Sequence, residues 1–458
     1  MSAVAVVGAG PVGMTMALSL ARYGVPSVLL DEDEQTTCEG SRSICVQRAS
    51  LEVFDRIGCG TQIAEEGVTW TCGRTYYRDV ELFQVRFPAS GPERFPPFVN
   101  LGQQRVEEIL LERVEAEPLV DLRWRNRVVG YRDGVLQIEG GGELEAEYVV
   151  ACDGPHSTLR RLLGLEFPGH SHRDRFLIAD VRAQLPFPSE RRFFFDPPSN
   201  PGRQVLVHPQ PDDVWRIDWQ VPPEVDPEEE RRSGRLDERI RAIVGETPYE
   251  IVWVTAYTFH QRMLPRFREG RVFFAGDAAH VMSVFGARGM NSGVQDAENL
   301  AWKLWGVVDG WAPESLLDTY DTERRAAAAH NLAVTDATMR FMVPRTRAHR
   351  LARHALLRLS QYVRPLRRFV NSGRLSEPFV YRESPIVAAG GERVDVQGRG
   401  FVALVGAGAA VEPPKTPVPL ELRHEGDGLV LVRPDGHVAA RTADASRLPE
   451  LLELAVAA

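Results

Sequence analysis

The residues best placed to do chemistry open the chain. Gly8-Ala9-Gly10-Pro11-Val12-Gly13 follows the β-branched run Val4–Val7 and precedes a helical stretch, Met14 to Arg22, closed by Gly24. Val28-Leu29-Leu30 then forms a second strand ending at Asp31. Strand, Gly-x-Gly-x-x-Gly, helix, strand and acid, in that order, predict a dinucleotide-binding βαβ unit. Gly8 permits the tight turn, Gly10 lets backbone approach a pyrophosphate, and Gly13 lets helix and strand pack closely. The helix N-terminus offers unpaired N–H groups and partial positive charge to phosphates. Asp31 is positioned to accept a hydrogen bond from a ribose hydroxyl. Alone, such a motif reads as a glycine-rich turn; the flanking strand, helix and acid carry the nucleotide reading. FAD and NAD both possess that ribose, so the unit leaves the choice between them open.

Two later segments bear on the choice. Residues 271–304 predict a buried strand (Val272–Ala275), Gly276-Asp277, a loop containing Gly286 and Gly289, and a helix from about Ser292. The glycines allow close approach of a flat ligand, and the helix N-terminus stabilises negative charge such as a reduced flavin carries. Upstream, Cys152-Asp153-Gly154 follows the strand Tyr148–Ala151. Taken singly, Asp277 reads as a helix cap, Asp153 as a turn residue and His280 as structural. Together, and in this order, the segments resemble those of the class A flavoprotein aromatic hydroxylases, the para-hydroxybenzoate hydroxylase-like family, over roughly residues 1–375.

The resemblance implies FAD as cofactor, with Asp277 in Gly276-Asp277-Ala278-Ala279-His280 on a ribityl hydroxyl. It places Gly289, Met290 and Asn291 at the pyrimidine side of the isoalloxazine, and Asp153 near both the flavin and the route of the nicotinamide nucleotide. Arg42 stands where a family arginine covers the flavin, and Gln103, four residues before Glu107 on a predicted helix, where a family glutamine contacts FAD. Pro11, Val12 and Val128 complete the implied cofactor contacts. The reaction implied is hydroxylation of a phenolic or other electron-rich ring with NAD(P)H and O2 through a flavin C4a-hydroperoxide. Two positions depart from the pattern. His156 replaces a usual arginine, and Val284 replaces a usual proline beside the reactive flavin edge. Baeyer–Villiger-type oxygen insertion therefore stays open, as does a non-catalytic, substrate-sequestering flavoprotein. An NAD-dependent dehydrogenase would leave residues 271–304 unexplained, and a halogenase would need a Trp-x-Trp-x-Ile-Pro segment that the chain lacks.

These segments need scaffolding, and 458 residues suffice for two or three domains. The expected fold class is α/β: a Rossmann-like FAD-binding domain (1–70, 100–170 and 271–380), an inserted antiparallel β-sheet substrate domain (71–99 and 171–270), and an abbreviated thioredoxin-like C-terminal region (381–458). Alternation in Gln204–His208 and Val214–Val221, joined by the turn Pro209–Asp213, predicts a hairpin. It places Leu206, His208 and Gln210 on one face, and Arg216, Asp218 and Gln220 on one face of the next strand. His208, Gln210 and Asp218, with Val284 and Phe285, are the pocket candidates; a solvent-facing sheet side is the plainer alternative. Trp215 and Trp219 read as core before substrate-stacking residues. Residues 226–242 predict a solvated surface helix. The nine arginines of 345–374 suit a solvated face or subunit contact.

From Pro385 onward the composition shifts, and Leu429–Arg433, Pro434-Asp435-Gly436 and His437–Arg441 predict a second hairpin. Val405-Gly406-Ala407-Gly408 imitates a dinucleotide motif, but Val411 replaces the third glycine and no amphipathic helix follows. No CxxC is present, so packing or homodimerisation is the task expected of this region. A net charge of −9 argues against nucleic acid as a partner. Five unpatterned cysteines argue against a disulfide framework or a zinc site, and no apolar run has the length of a membrane span. The apolar start lacks preceding basic residues, unlike a signal peptide. A reduced cytoplasmic enzyme acting on a small aromatic molecule is expected.

Overall fold

The computed structural model describes residues 2–36, 43–87, 94–283, 285–344, 346–370, 379–388, 390–396, 398–406, 411–425 and 427–457. Arg42 and Val284 lie outside the described residues.

Val4, Ala5 and Val6 are wholly buried, as an all-apolar strand in a covered parallel sheet must be. Ser2–Val7 pairs in parallel with Ser27–Leu30 on one side and Gly142–Ala151 on the other. Val120–Arg123 extends the sheet beyond Ser27–Leu30, and Val272–Phe274 extends it beyond Gly142–Ala151. Arg268–Glu269 closes that edge antiparallel. The helix Pro11–Arg22 begins earlier than the apolar pattern from Met14 suggests. Gly10 is its extended N-cap, and Pro11 sits at a first-turn position, where the missing N–H has no partner to lose.

A second sheet runs in the order His280–Val281, Glu250–Met263, Gly169–Arg182, Val214–Val221, Gln204–Pro209, Arg191–Phe195, Cys72–Tyr77, Val80–Arg86. All its pairings are antiparallel except that of Arg191–Phe195 with Cys72–Tyr77. In the hairpin Gln204–Pro209/Val214–Val221, Leu206 opposes Asp218 and His208 opposes Arg216. Trp215 and Trp219 face the other way, into a core shared with Leu236, Ile240 and Val244. The charged stretch after residue 226 is thus only partly solvated. It forms two helices, Pro227–Arg232 and Arg235–Val244, separated at Gly234 (φ 80°), and the second lays an apolar stripe on the sheet. Phe98–Asn100 pairs with Cys45–Gln47 instead of extending the second sheet.

The C-terminal region is a four-stranded sheet, ordered Leu420–His424, Phe401–Val405, Leu429–Val432, Val438–Thr442, with the helix Leu448–Val456. Its hairpin pairs antiparallel. The arginine-rich stretch forms the helix Arg347–Ser360. Arg353 there is buried and donates to the Met342 and Gly202 carbonyls, so it ties the helix inward. Among the described residues, no helix is long and apolar enough to cross a membrane.

Candidate active site

The three glycine–acid segments meet because their strands end level. Val7 pairs with Ala151, and Ala151 with Phe274. Gly8–Gly13, Cys152–Gly154 and Gly276-Asp277 therefore leave the parallel sheet at its carboxyl edge, where open α/β sheets bind ligands. They border a cavity of about 1230 Å³ that continues under the second sheet. It exceeds the ~300–1,000 Å³ of a typical small-molecule pocket.

Gly8, Gly10, Pro11, Val12, Asp31, Gln103, Val128, Asp153, Asp277, Gly289 and Met290 all line it, as do His208, Asp218 and Phe285. The Ala9 N–H donates to Asp31 Oδ2 at 2.5 Å, which holds the carboxylate beside the glycine turn. Gln103 joins the cavity wall to the preceding loop. It accepts from the Ser43 N–H at 3.1 Å and donates to Glu107 Oε1 at 2.8 Å. Asp153 Oδ2 accepts from the Thr158 and Leu159 N–H groups at 2.7 and 3.2 Å, whereas its buried Oδ1 has no hydrogen-bond partner. Burial raises this carboxyl above the usual range against those hydrogen bonds.

Four candidates do not line the cavity. Gly13 acts by contact: a Cβ there would lie 1.8 Å from the Gly8 carbonyl oxygen. Gly13→Ala should therefore push the helix off the sheet and lower flavin retention several-fold, measured as bound flavin per protein after gel filtration. Gly276, at φ 59°, turns the chain and donates its N–H to Asp296 Oδ2 at 3.0 Å. Asn291, expected at the pyrimidine side of the flavin, uses its side chain as a strut. It accepts from the Gln47 N–H at 2.9 Å and donates to the Cys45 and Ala287 carbonyls at 2.8 and 2.7 Å. Gln210 also stands outside the lining. It leaves the strand for the turn, where its N–H bonds the Val214 carbonyl.

The residues fit FAD. Gly10, Gly154 and Gly289 line the cavity, and a Cβ on any of them would meet nothing within 4 Å, so bare backbone faces open space. Two helix N-termini open onto it, at Pro11-Val12 and at Gly289-Met290. The second helix starts at Gly289, earlier than Ser292, and so presents its first-turn N–H groups to the cavity. One terminus suits a pyrophosphate and the other negative charge on a ring.

Several positioning residues had no motif to announce them. Asp296 accepts from Gly276 N–H and Arg324 Nε at 3.0 and 2.6 Å and bonds His280 Nε2 at 2.7 Å, all buried. Burial would raise its carboxyl, but Arg324 and His280 hold it down at about 2. His280 thereby braces the Gly276-Asp277 turn through Asp296. Arg160 Nη1 donates to the Ala278 carbonyl at 3.0 Å and Nη2 to the Pro155 carbonyl at 2.5 Å, tying two of the three segments together. The available signal was the helix Gly289–Val308 itself, whose Asp296, Glu298, Asn299 and Lys303 are all buried.

Under the second sheet the cavity is walled by Ile178, Leu206, Trp253, Tyr257 and Phe285. Phe285 meets Phe176 edge-on at 5.4 Å. Set into this wall are Arg191, His208, Arg216 and Asp218. Burial, with Arg191 and Arg216 nearby, pushes the His208 imidazole well below its usual range and keeps it neutral.

The FAD binding domain family model matches residues 1–335. A flavin-dependent monooxygenase of Mycobacteroides abscessus is 34% identical over 373 residues, covering 74% of this chain and 75% of that protein. A 3-(3-hydroxy-phenyl)propionate/3-hydroxycinnamic acid hydroxylase of Mycobacterium sp. (strain KMS) is 31% identical over 375 residues, covering 80% of this chain and 64% of the relative. The crystal structure of p-nitrophenol 4-monooxygenase from Pseudomonas putida DLL-E4 superposes with a TM-score of 0.69 at 27% identity, covering 81% of this chain and 96% of that one. With its glycine–acid segments converging on one large cavity and the family model spanning most of its length, the chain belongs to the FAD-dependent monooxygenases of this FAD-binding family.

Proposed function

We propose that the protein hydroxylates a small phenolic ring, using NAD(P)H as reductant and O2 as oxidant. The observation that carries this reading is the continuity of one cavity. It runs from the nucleotide turn at Gly8–Gly13 past Asp277 to an aromatic chamber holding buried polar groups. Bound FAD would supply the redox chemistry and the activation of dioxygen. The chain's own residues do the rest. Gly8, Gly10 and Asp31 would hold the nucleotide half, and Asp277 the ribityl chain. Trp253, Tyr257 and Phe285 would sandwich a ring, and the buried Phe176 and Phe259 behind Phe285 keep bulk water from that wall. The relatives named for a hydroxyphenyl acid and a nitrophenol support a phenolic substrate. The second sheet is the substrate side of the molecule in this reading. A reducing, cytoplasmic setting agrees with the free thiols Cys45, Cys59, Cys72 and Cys152.

Purified protein supplied with FAD should be yellow. It should oxidise NAD(P)H faster when a phenol is added and return a product heavier by one oxygen atom, read by mass spectrometry. Protein that stays colourless with FAD, or turnover indifferent to every phenol tried, overturns the reading.

A further inference from the structure

Asp218 sits mid-strand in Val214–Val221, opposite Leu206 and two pairs along from the His208–Arg216 pair. It lines the aromatic chamber and is 8% exposed. A carboxylate so buried ordinarily finds partners. Asp218 Oδ1 has none, and neither has Nδ1 of His208. The obvious cation is already committed, since Arg216 directs Nε and Nη2 to the two Asp180 oxygens, each at 2.8 Å. Asp218 and His208 both line the cavity and each holds one buried, unsatisfied polar atom, so the Asp218 carboxylate is a group that a ligand hydroxyl can complete.

We propose that Asp218 accepts the proton of the substrate's phenolic hydroxyl, with Arg191 flanking the phenolate so formed. This rests on the hydroxylase reading above and names the residue that activates the ring. The balance is simple. The phenol O–H bond breaks, an O–H bond forms on the Asp218 carboxylate, and the electron pair stays on the substrate oxygen as phenolate. That charge enriches the ortho and para carbons, the positions at which an electrophilic oxygen atom is accepted.

The groups around Asp218 suit the task. Arg216 comes from its own strand, Asp180 from Gly169–Arg182, His208 from Gln204–Pro209 and Arg191 from Arg191–Phe195. Burial raises the Asp218 carboxyl to about 7; Asp180 adds to the rise, while Arg216 and Arg191 oppose it. An ordinary aspartate near ~4 is a poor match for a phenol near ~10, and a raised one is a closer match. Arg191 remains a cation, although burial lowers it to about 10.

The test uses FAD-loaded protein and compares wild type with Asp218→Asn, which keeps shape and removes the basic oxygen. Wild-type kcat with unsubstituted phenols should rise with pH through an ionisation near 7. In Asp218→Asn that limb should vanish, with kcat ~10²-fold lower at neutral pH and rising only as the phenol ionises by itself. The loss should shrink for a nitrophenol, which ionises readily, and Asp218→Glu should recover part of the rate. Flavin content should not change. An Asn variant with the wild-type pH profile, or a loss equal for phenol and nitrophenol, overturns the assignment. If the variant fails to fold, the wild-type profile decides, and a kcat flat over roughly pH 6 to 9 overturns it. A wild type that ignores phenols altogether overturns the hydroxylase reading instead, so the two failures are separable.

Discussion

Asp277→Ala should yield a protein that has lost its flavin and kept its fold. Asp277 sits in the short turn Gly276–Ala278, delivered to the cavity by a strand that ends level with Ala151. Its side chain lines the cavity. On either side of Asp277 the turn is held by Gly276 N–H to Asp296 and by Arg160 to the Ala278 carbonyl. Those two contacts remain when the carboxylate is removed, so the expected loss falls on ligand binding. A hydrogen bond to a charged group contributes ~1.5–3 kcal/mol, so FAD affinity should fall roughly ten- to a hundredfold. Flavin absorbance per protein after gel filtration, with a far-UV spectrum recorded alongside, reads both halves of the expectation. Unchanged flavin content would move the ribityl site away from Asp277.

Arg433→Met should be among the most destabilising single changes in the chain. Arg433 is wholly buried where the C-terminal sheet meets the FAD-binding domain. It donates to Glu323 Oε1 and Oε2 at 2.6 and 3.0 Å and to Asp435 Oδ1 at 3.0 Å. Glu323 also accepts from Lys303 Nζ at 2.9 Å, Asn299 Nδ2 at 2.6 Å and Ser384 Oγ at 2.6 Å. Burial would raise the Glu323 carboxyl, yet Arg433 and Lys303 hold it well below its usual range, so it is an anion. Burial also lowers Lys303, to about 8. Deleting the arginine leaves Glu323 to Lys303 and strips Asp435 of its bonded cation in a buried interface. Breaking a buried pair in this way costs ~3–5 kcal/mol. Arg447→Met is the control, since its partner Glu450 is 56% exposed and such pairs contribute ~0–1 kcal/mol. Urea or thermal unfolding of both variants checks the contrast. Equal stability for the two would mean that the buried network does not hold the C-terminal region in place.

That network was invisible in the amino-acid order. Arg433 and Asp435 read as the flanks of a hairpin turn, which they are, and nothing in their spacing pointed to Glu323, more than a hundred residues earlier. Asn291 and Gln210 show the converse. The resemblance and the alternation placed them at the site; a neighbouring strand takes the side-chain amide of Asn291, and the Gln210 N–H bonds within the hairpin turn. A single arginine at a strand start, such as Arg191, has no sequence pattern of its own.

The amino-acid order alone determined the nucleotide segments, the hairpin bearing His208 and Asp218, and the faces of Trp215 and Trp219. Each depends on requirements met within a few residues: a turn only glycine tolerates, an acid at a strand end, side chains that alternate along a pleat. Tertiary structure alone decided which polar residues share the chamber and which are consumed as struts. That outcome depends on pairings between strands far apart in the chain, and a buried polar group takes whichever partner those pairings bring within reach.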